Sequence, residues 1–331
     1  MAKAVARGED VNSVDESNNT ALHHAAKAGY HTIVKLLLAD QRADVNHSGF
    51  KGNRPLHQAA STGQARVLQL LLAHQGVEVN CKNDLGATPL ETAAYEGWEK
   101  VVKILLADQR VEVNADENVT LLHLAAAQGH KKVVGLLLAD QRFNVNSIAT
   151  DGTTPLHVAA DRGHDKVVEL LLADHRVDVN HAGDGDNYTA LLLAAEEGHD
   201  KVVQVLLSDQ RVEVNCSSDE GVTALSTAAI NGHERVLAIL LADHRVEVNN
   251  SDKNGCTALH YAAHMDHSNL VELLLADPRV EVNNKNKYSH TPLMVALAEE
   301  SKNSLPLLLD HPEVDLDTKD EEGRGLLVVA R

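Results

Sequence analysis

The chain has 331 residues, with 48 acidic against 30 basic side chains and a formal net charge of −18. That balance excludes a nucleic-acid backbone as the natural partner and favours a basic or neutral protein surface. Aromatic residues make up only 2%, too few for an ordinary globular core. No apolar run approaches the ~20 residues that cross a bilayer, so no membrane insertion is expected, and the N-terminus MAKAVARGED carries no apolar signal core.

In chain order, Val11-Asn12 is the first fragment of a pattern that then repeats, so residues 1–15 read as a partial unit. Predicted first helices follow Thr20, Arg54, Thr88, Thr120, Thr154, Thr189, Thr223, Thr257 and Thr291. The spacing is 34 residues in six of the eight steps, 32 from Thr88 to Thr120 and 35 from Thr154 to Thr189. The unit from Thr154 to Leu172, TPLHVAADRGHDKVVELLL, shows what each one encodes. Thr154 suits a helix N-cap and Pro155 the first helical position. Leu156, Ala159 and Ala160 form an apolar stripe at i, i+3 and i+4. Gly163 can take the left-handed conformation that ends the helix. A second helix is expected from His164 or Asp165, with Val167, Val168, Leu171 and Leu172 on one side and Leu170 widening the stripe. Neither helix is long enough to stand alone in water, so stability must come from stacking units against one another. Counting the whole leucine triplet as buried gives on the order of 5–8 kcal/mol per unit before the entropy of ordering is subtracted.

Irregularities mark particular units. Five residues, ADENV, separate Asn114 from Thr120, which predicts a short loop. Eight residues, HAGDGDNY, separate Asn180 from Thr189, which predicts a longer and looser one. The sixth unit also has Leu192 where others have histidine, so any break in a binding face is expected between units four and six. After Thr291 the pattern decays. Glu300 stands in place of the helix-ending glycine, and Pro306 requires the second helix to start late, near Asn303. These boundaries read as eight regular units over 16–290, a degenerate ninth over 291–324 and a truncated tenth over 325–331. The ends are either degenerate caps or the edges of a longer array.

The unit TPLHxAA…GHxxVVxLLL…VN resembles the ankyrin repeat, in register across nearly the whole chain. That resemblance implies an all-α repeat solenoid over 1–331, in which each unit of about 34 residues carries a helix–turn–helix and a β-hairpin finger. It also implies a non-catalytic scaffold or adaptor that binds a protein on a concave surface of fingers and first helices. The alternative is a targeting segment of a larger enzyme, channel or ligase component. Core positions barely change from unit to unit, whereas finger and first-helix positions change freely. Among the latter, Phe50, Gln58, Tyr95, Arg162, Tyr188, Glu196, Tyr261, Met265 and Tyr288 are the candidate partner-binding residues, because aromatic and arginine side chains most often anchor interfaces.

Other chemistry has weaker support. No phosphate-binding glycine loop, GxSxG or supported Cys/His pair is present, so no enzyme and no cofactor are expected. The motif histidines His57, His123, His157 and His260 recur once per unit, too far apart to share a metal, and in ankyrin repeats such histidines hydrogen-bond within the loop framework. One local group, His260, His264 and His267, has spacing that could seat zinc and gives a second alternative. Seven Asp/Arg pairs, from Asp40/Arg42 to Asp277/Arg279, form a row that reads as a structural edge or a charged docking rail, each pair contributing about 0–1 kcal/mol if exposed. The asparagines that follow valine bond backbone across the loop. Those in ankyrin repeats are also substrates of an asparaginyl hydroxylase, which makes Asn80, Asn114, Asn180, Asn215, Asn249 and Asn283 candidate modification sites. Cys81 and Cys216 sit four units apart and cannot pair, and free thiols point to a reducing compartment, the cytoplasm or the nucleus; a monomer is expected.

Overall fold

A computed structural model describes residues 10–113, 120–183 and 185–326. Among them are eighteen short α-helices in nine pairs, and no extended strand. They fall into two compact segments, Met1–Ala149 and Thr150–Arg331, described separately below.

In the first segment the pairs are α1 (Ala21–Ala28) with α2 (His31–Leu38), α3 (Pro55–Ser61) with α4 (Ala65–Leu72), α5 (Pro89–Tyr95) with α6 (Glu99–Ala107), and α7 (Leu121–Ala127) with α8 (Lys131–Ala139). In the second they are α9 (Pro155–Asp161) with α10 (Asp165–Leu172), α11 (Ala190–Glu196) with α12 (Asp200–Ser208), and α13 (Ala224–Asn231) with α14 (Glu234–Ala242). The last two pairs are α15 (Ala258–His264) with α16 (Ser268–Ala276) and α17 (Pro292–Ala298) with α18 (Ser304–Asp310). Within each segment first helices stack on first helices and second on second, which makes two helical layers. Each segment is therefore an all-helical repeat solenoid.

The stacking follows from small side chains. Ala159 and Ala160, Ala194 and Ala195, and Ala228 and Ala229 are completely buried, so first helices meet over alanine and their backbones approach closely. The second helices fill the other layer with pairs such as Val167/Val168 and Val202/Val203. Of each leucine triplet only part is sealed. Leu171 is fully buried, but Leu170 and Leu172 are half-buried. The triplet therefore contributes less than full burial would imply, because the second helices form the outer layer and keep one side in water.

Thr154 caps α9, and α10 begins at Asp165. Gly163 sits between them at φ +72°. In the ninth repeat Glu300 takes that left-handed position itself, at φ +54°. Pro306 falls in the first turn of α18, which starts at Ser304 after an Asn303 cap. Asp266 likewise replaces the glycine of the eighth repeat, at φ +55°. Its carboxylate accepts from the backbone N–H groups of Asn303 and Ser304 at 3.0 and 2.8 Å, capping the next repeat's second helix. Here a side chain offsets the backbone strain that glycine avoids elsewhere.

The fingers are turns rather than regular hairpins. Two backbone bonds close most of them, as from Asn83 N–H to the Ala87 carbonyl at 3.0 Å with Gly86 N–H to Asn83 at 2.9 Å, or Asp252 N–H to Cys256 at 3.0 Å with Gly255 N–H to Asp252 at 2.9 Å. Pairing in β geometry is limited to isolated bridges such as Ser217 with Thr223. Adjacent fingers are stitched by one further bond, for example Lys253 N–H to the Glu220 carbonyl at 2.9 Å. The short loop expected before Thr120 lies outside the described residues, as do most of residues 325–331 and the start of 1–15.

Candidate functional site

Much of the chemistry that the repeat motif carries is spent on holding one repeat to the next. The motif histidine shows this first. Nδ1 of His157 accepts the Thr154 backbone N–H at 3.2 Å, and Nε2 donates to the Tyr188 carbonyl of the following finger at 3.0 Å. A backbone N–H can only donate, so the imidazole is neutral with its proton on Nε2. His57 spans Arg54 N–H and the Ala87 carbonyl in the same way. Burial drives both His57 and His157 down to about 4.

The valine-asparagine position makes a second clamp. Asn249 donates to the Arg279 carbonyl at 2.7 Å and accepts the Glu281 N–H at 2.8 Å. Asn80, Asn215 and Asn283 clamp their following repeats identically. So does Asn180. These bonds cross to the next repeat instead of closing the asparagine's own loop. Asn114 lies outside the described residues.

The Asp/Arg row is a third clamp. Arg245 forks onto Asp243 with Nε and a terminal nitrogen, at 3.1 and 2.7 Å, and the same terminal nitrogen donates to the Leu207 carbonyl at the end of α12, 2.7 Å away. Arg211 and Arg279 reach Leu172 and Leu241 likewise. The aspartates are mostly covered, 13% exposed at Asp243. Their arginines hold their carboxyls below the usual range, to about 2 at Asp174. Each pair therefore has a structural role within its own segment, tying its turn and, at Arg110, Arg142, Arg211, Arg245 and Arg279, a carbonyl of the preceding repeat.

The three histidines with metal-like spacing are not assembled. His260 accepts from Thr257 N–H through Nδ1 and donates to the His290 carbonyl through Nε2. His267 donates to the Ile230 carbonyl, and His264 faces Glu299 at 3.5 Å. Among the described residues no group of three His, Cys, Asp or Glu side chains could hold a metal ion.

The candidate residues on fingers and first helices are committed to different degrees. Phe50, 53% exposed, stands on the turn Phe50–Gly52 with the Lys51 ammonium 5.5 Å from its ring centre. Tyr95 and Met265 are exposed at the ends of α5 and α15, and Gln58 is half-buried on α3. Tyr288 is 62% exposed on its finger, its ring 6.2 Å from that of His290. Arg162 is exposed but paired with Asp161 at 3.2 Å. Tyr261 is partly committed: its hydroxyl donates to Asp252 Oδ2 at 2.6 Å, bracing the finger whose turn Asp252 Oδ1 ties.

Tyr188 and Glu196 are brought together. They line a cavity of about 250 Å³ with Asp151, Thr153, His157, Gly183, Asp186 and Leu193. The long finger makes this space. Its closing bond runs from Gly183 N–H to the Tyr188 carbonyl at 2.9 Å, one residue wider than in the other fingers, and His157 pins the same carbonyl. Burial, then the Glu196 and Asp186 carboxylates, push the Tyr188 hydroxyl up. Burial, then Glu197, Asp161 and Asp186, push the Glu196 carboxyl up. Sequence reasoning singled out Tyr188 and Glu196 as candidates but not that they share a wall with Leu193 and Asp186. The one signal was the lengthened finger.

The sequence model of the family described as ankyrin repeats (3 copies) matches residues 1–83, 56–149, 122–218, 207–286 and 247–320. No match was found among the curated proteins. No helix among the described residues is long and apolar enough to cross a membrane.

Proposed function

Because the chain belongs to the ankyrin-repeat family, a family of protein-interaction modules, we propose that it is a non-catalytic scaffold holding a protein partner on its fingers and first helices. The observation that supports this is the distribution of exposed large apolar side chains. Among the described residues, seven of the twelve stand on this surface, Val14, Phe50, Leu85, Ile148 and Tyr288 on fingers and Tyr95 and Met265 at the ends of first helices, while Tyr30, Leu36, Trp98, Leu309 and Leu316 lie elsewhere. Such side chains gain when buried against a partner. The net charge of −18 favours a partner with a basic face. Capture from cell extract by the parent and by a Phe50→Ala/Tyr95→Ala/Tyr188→Ala/Tyr288→Ala variant tests the reading. A partner held by the parent and lost by the variant, at equal helicity, supports it; equal capture by both refutes the finger-and-helix surface.

A further inference from the structure

We propose that the cavity lined by Asp186, Tyr188, Leu193 and Glu196 receives an arginine side chain of the protein partner. The proposal rests on the scaffold reading above and specifies what one part of that surface takes.

Size decides first. At about 250 Å³ the cavity falls below the ~300–1,000 Å³ that small organic ligands need, so it suits a single inserted side chain. Its walls then decide the chemistry. Tyr188 offers an aromatic ring and Leu193 an apolar patch, while Asp186 and Glu196 bring carboxylates to the same space. Neither of those carboxylates forms an ion pair with a cation among the described residues. The guanidinium at the end of α9, Arg162, is exposed and pairs with Asp161 rather than with either of them. Glu196 is half-buried, and burial together with three neighbouring carboxylates raises its carboxyl. A partly desolvated carboxylate in a field of like charge is stabilised by a cation from outside. Arginine fits better than lysine, because its planar, weakly hydrated guanidinium stacks on a tyrosine while donating to carboxylates. Its methylenes would lie along Leu193. His157 and Gly183 both donate to the Tyr188 carbonyl, which ties the backbone of this wall to α9 and to the finger's own start.

Titration calorimetry on the full chain tests this with three short capped peptides, identical except for arginine, lysine or citrulline at the centre. Citrulline keeps the shape and removes the charge. The parent should bind the arginine peptide, with lysine weaker and citrulline at least about tenfold weaker. Glu196→Gln and Tyr188→Leu should each weaken the arginine peptide by about tenfold. Glu272→Gln, the same charge change on the exposed side of α16, should leave binding within about twofold. Equal binding of arginine and citrulline, equal losses at Glu196 and Glu272, or no binding by the parent would each overturn the proposal. A parent that ignores the arginine peptide but still loses its captured partner on the finger substitutions overturns the cavity assignment alone.

Discussion

The imidazole of His199 fills the space that a Cβ on Gly163 would occupy. Such an atom would fall 2.7 Å from the ring, whose Nε2 donates to the Asp161 carbonyl at 2.8 Å. The glycine thus serves two neighbours, ending its own helix at φ +72° and seating the next repeat's histidine. His233 stands over Gly198 and donates to Glu196 in the same manner. Gly163→Ala should therefore pay both left-handed strain and a clash, about 2–4 kcal/mol. Gly86→Ala, at φ +78° with open space around it, should pay only strain, about 1 kcal/mol. Urea midpoints of the two variants check the difference; equal losses would show that the histidine gives way freely.

Arg245→Lys keeps the charge but loses the fork onto Asp243 and the bond to the Leu207 carbonyl. Since the arginine is only 21% exposed, the expected loss is about 1–2 kcal/mol, more than a surface ion pair gives. The loss should persist at high salt, because it removes a bond to a helix end as well as an ion pair. A salt-sensitive loss that vanishes would mean that only charge mattered.

Asn249 uses both ends of its amide on the next repeat. Asn249→Asp retains the acceptor for Glu281 N–H but aims a carboxylate at the Arg279 carbonyl. It should therefore destabilise as much as Asn249→Ala, by about 1–2 kcal/mol. If the aspartate is tolerated, the Arg279 bond contributes little and the clamp is one-sided.

The buried histidines set an acid limit. His57 and His157 titrate near 4 when folded, because burial disfavours the imidazolium, against ~6.5 in the unfolded chain. The unfolded state therefore binds more protons between these values, so stability rises with pH there. Their contribution is complete above about pH 6.5 and is lost as pH falls towards 4, on the order of 3 kcal/mol for each histidine. The paired aspartates act only lower, since Asp174 titrates near 2. His157→Gln should flatten the pH dependence of the urea midpoint in this window by close to one proton. An unchanged slope would mean that His157 is not the group titrating.

The sequence alone determined the repeat, its phase and its helices. Thr154, Pro155, Leu156, Gly163 and the valine pair act within one helix or its cap, and helical periodicity makes such local signals readable in a line of text. The late start of α18 at Ser304 could be read from Pro306 for the same reason. What the tertiary structure decided is how each repeat meets the next. Asn249, Arg245 and His199 bond backbone about 30 to 40 residues away, and no local pattern distinguishes a side chain bound for a distant carbonyl from one left in water. For that reason the structural role of the Asp/Arg pairs could not be read until the Leu207 carbonyl stood beside Arg245. The grouping of His260, His264 and His267 likewise dissolved once each ring had its own partner. The cavity at Tyr188, Leu193 and Glu196 could not be foreseen, because a longer finger states that there is space but not which side chains will face it.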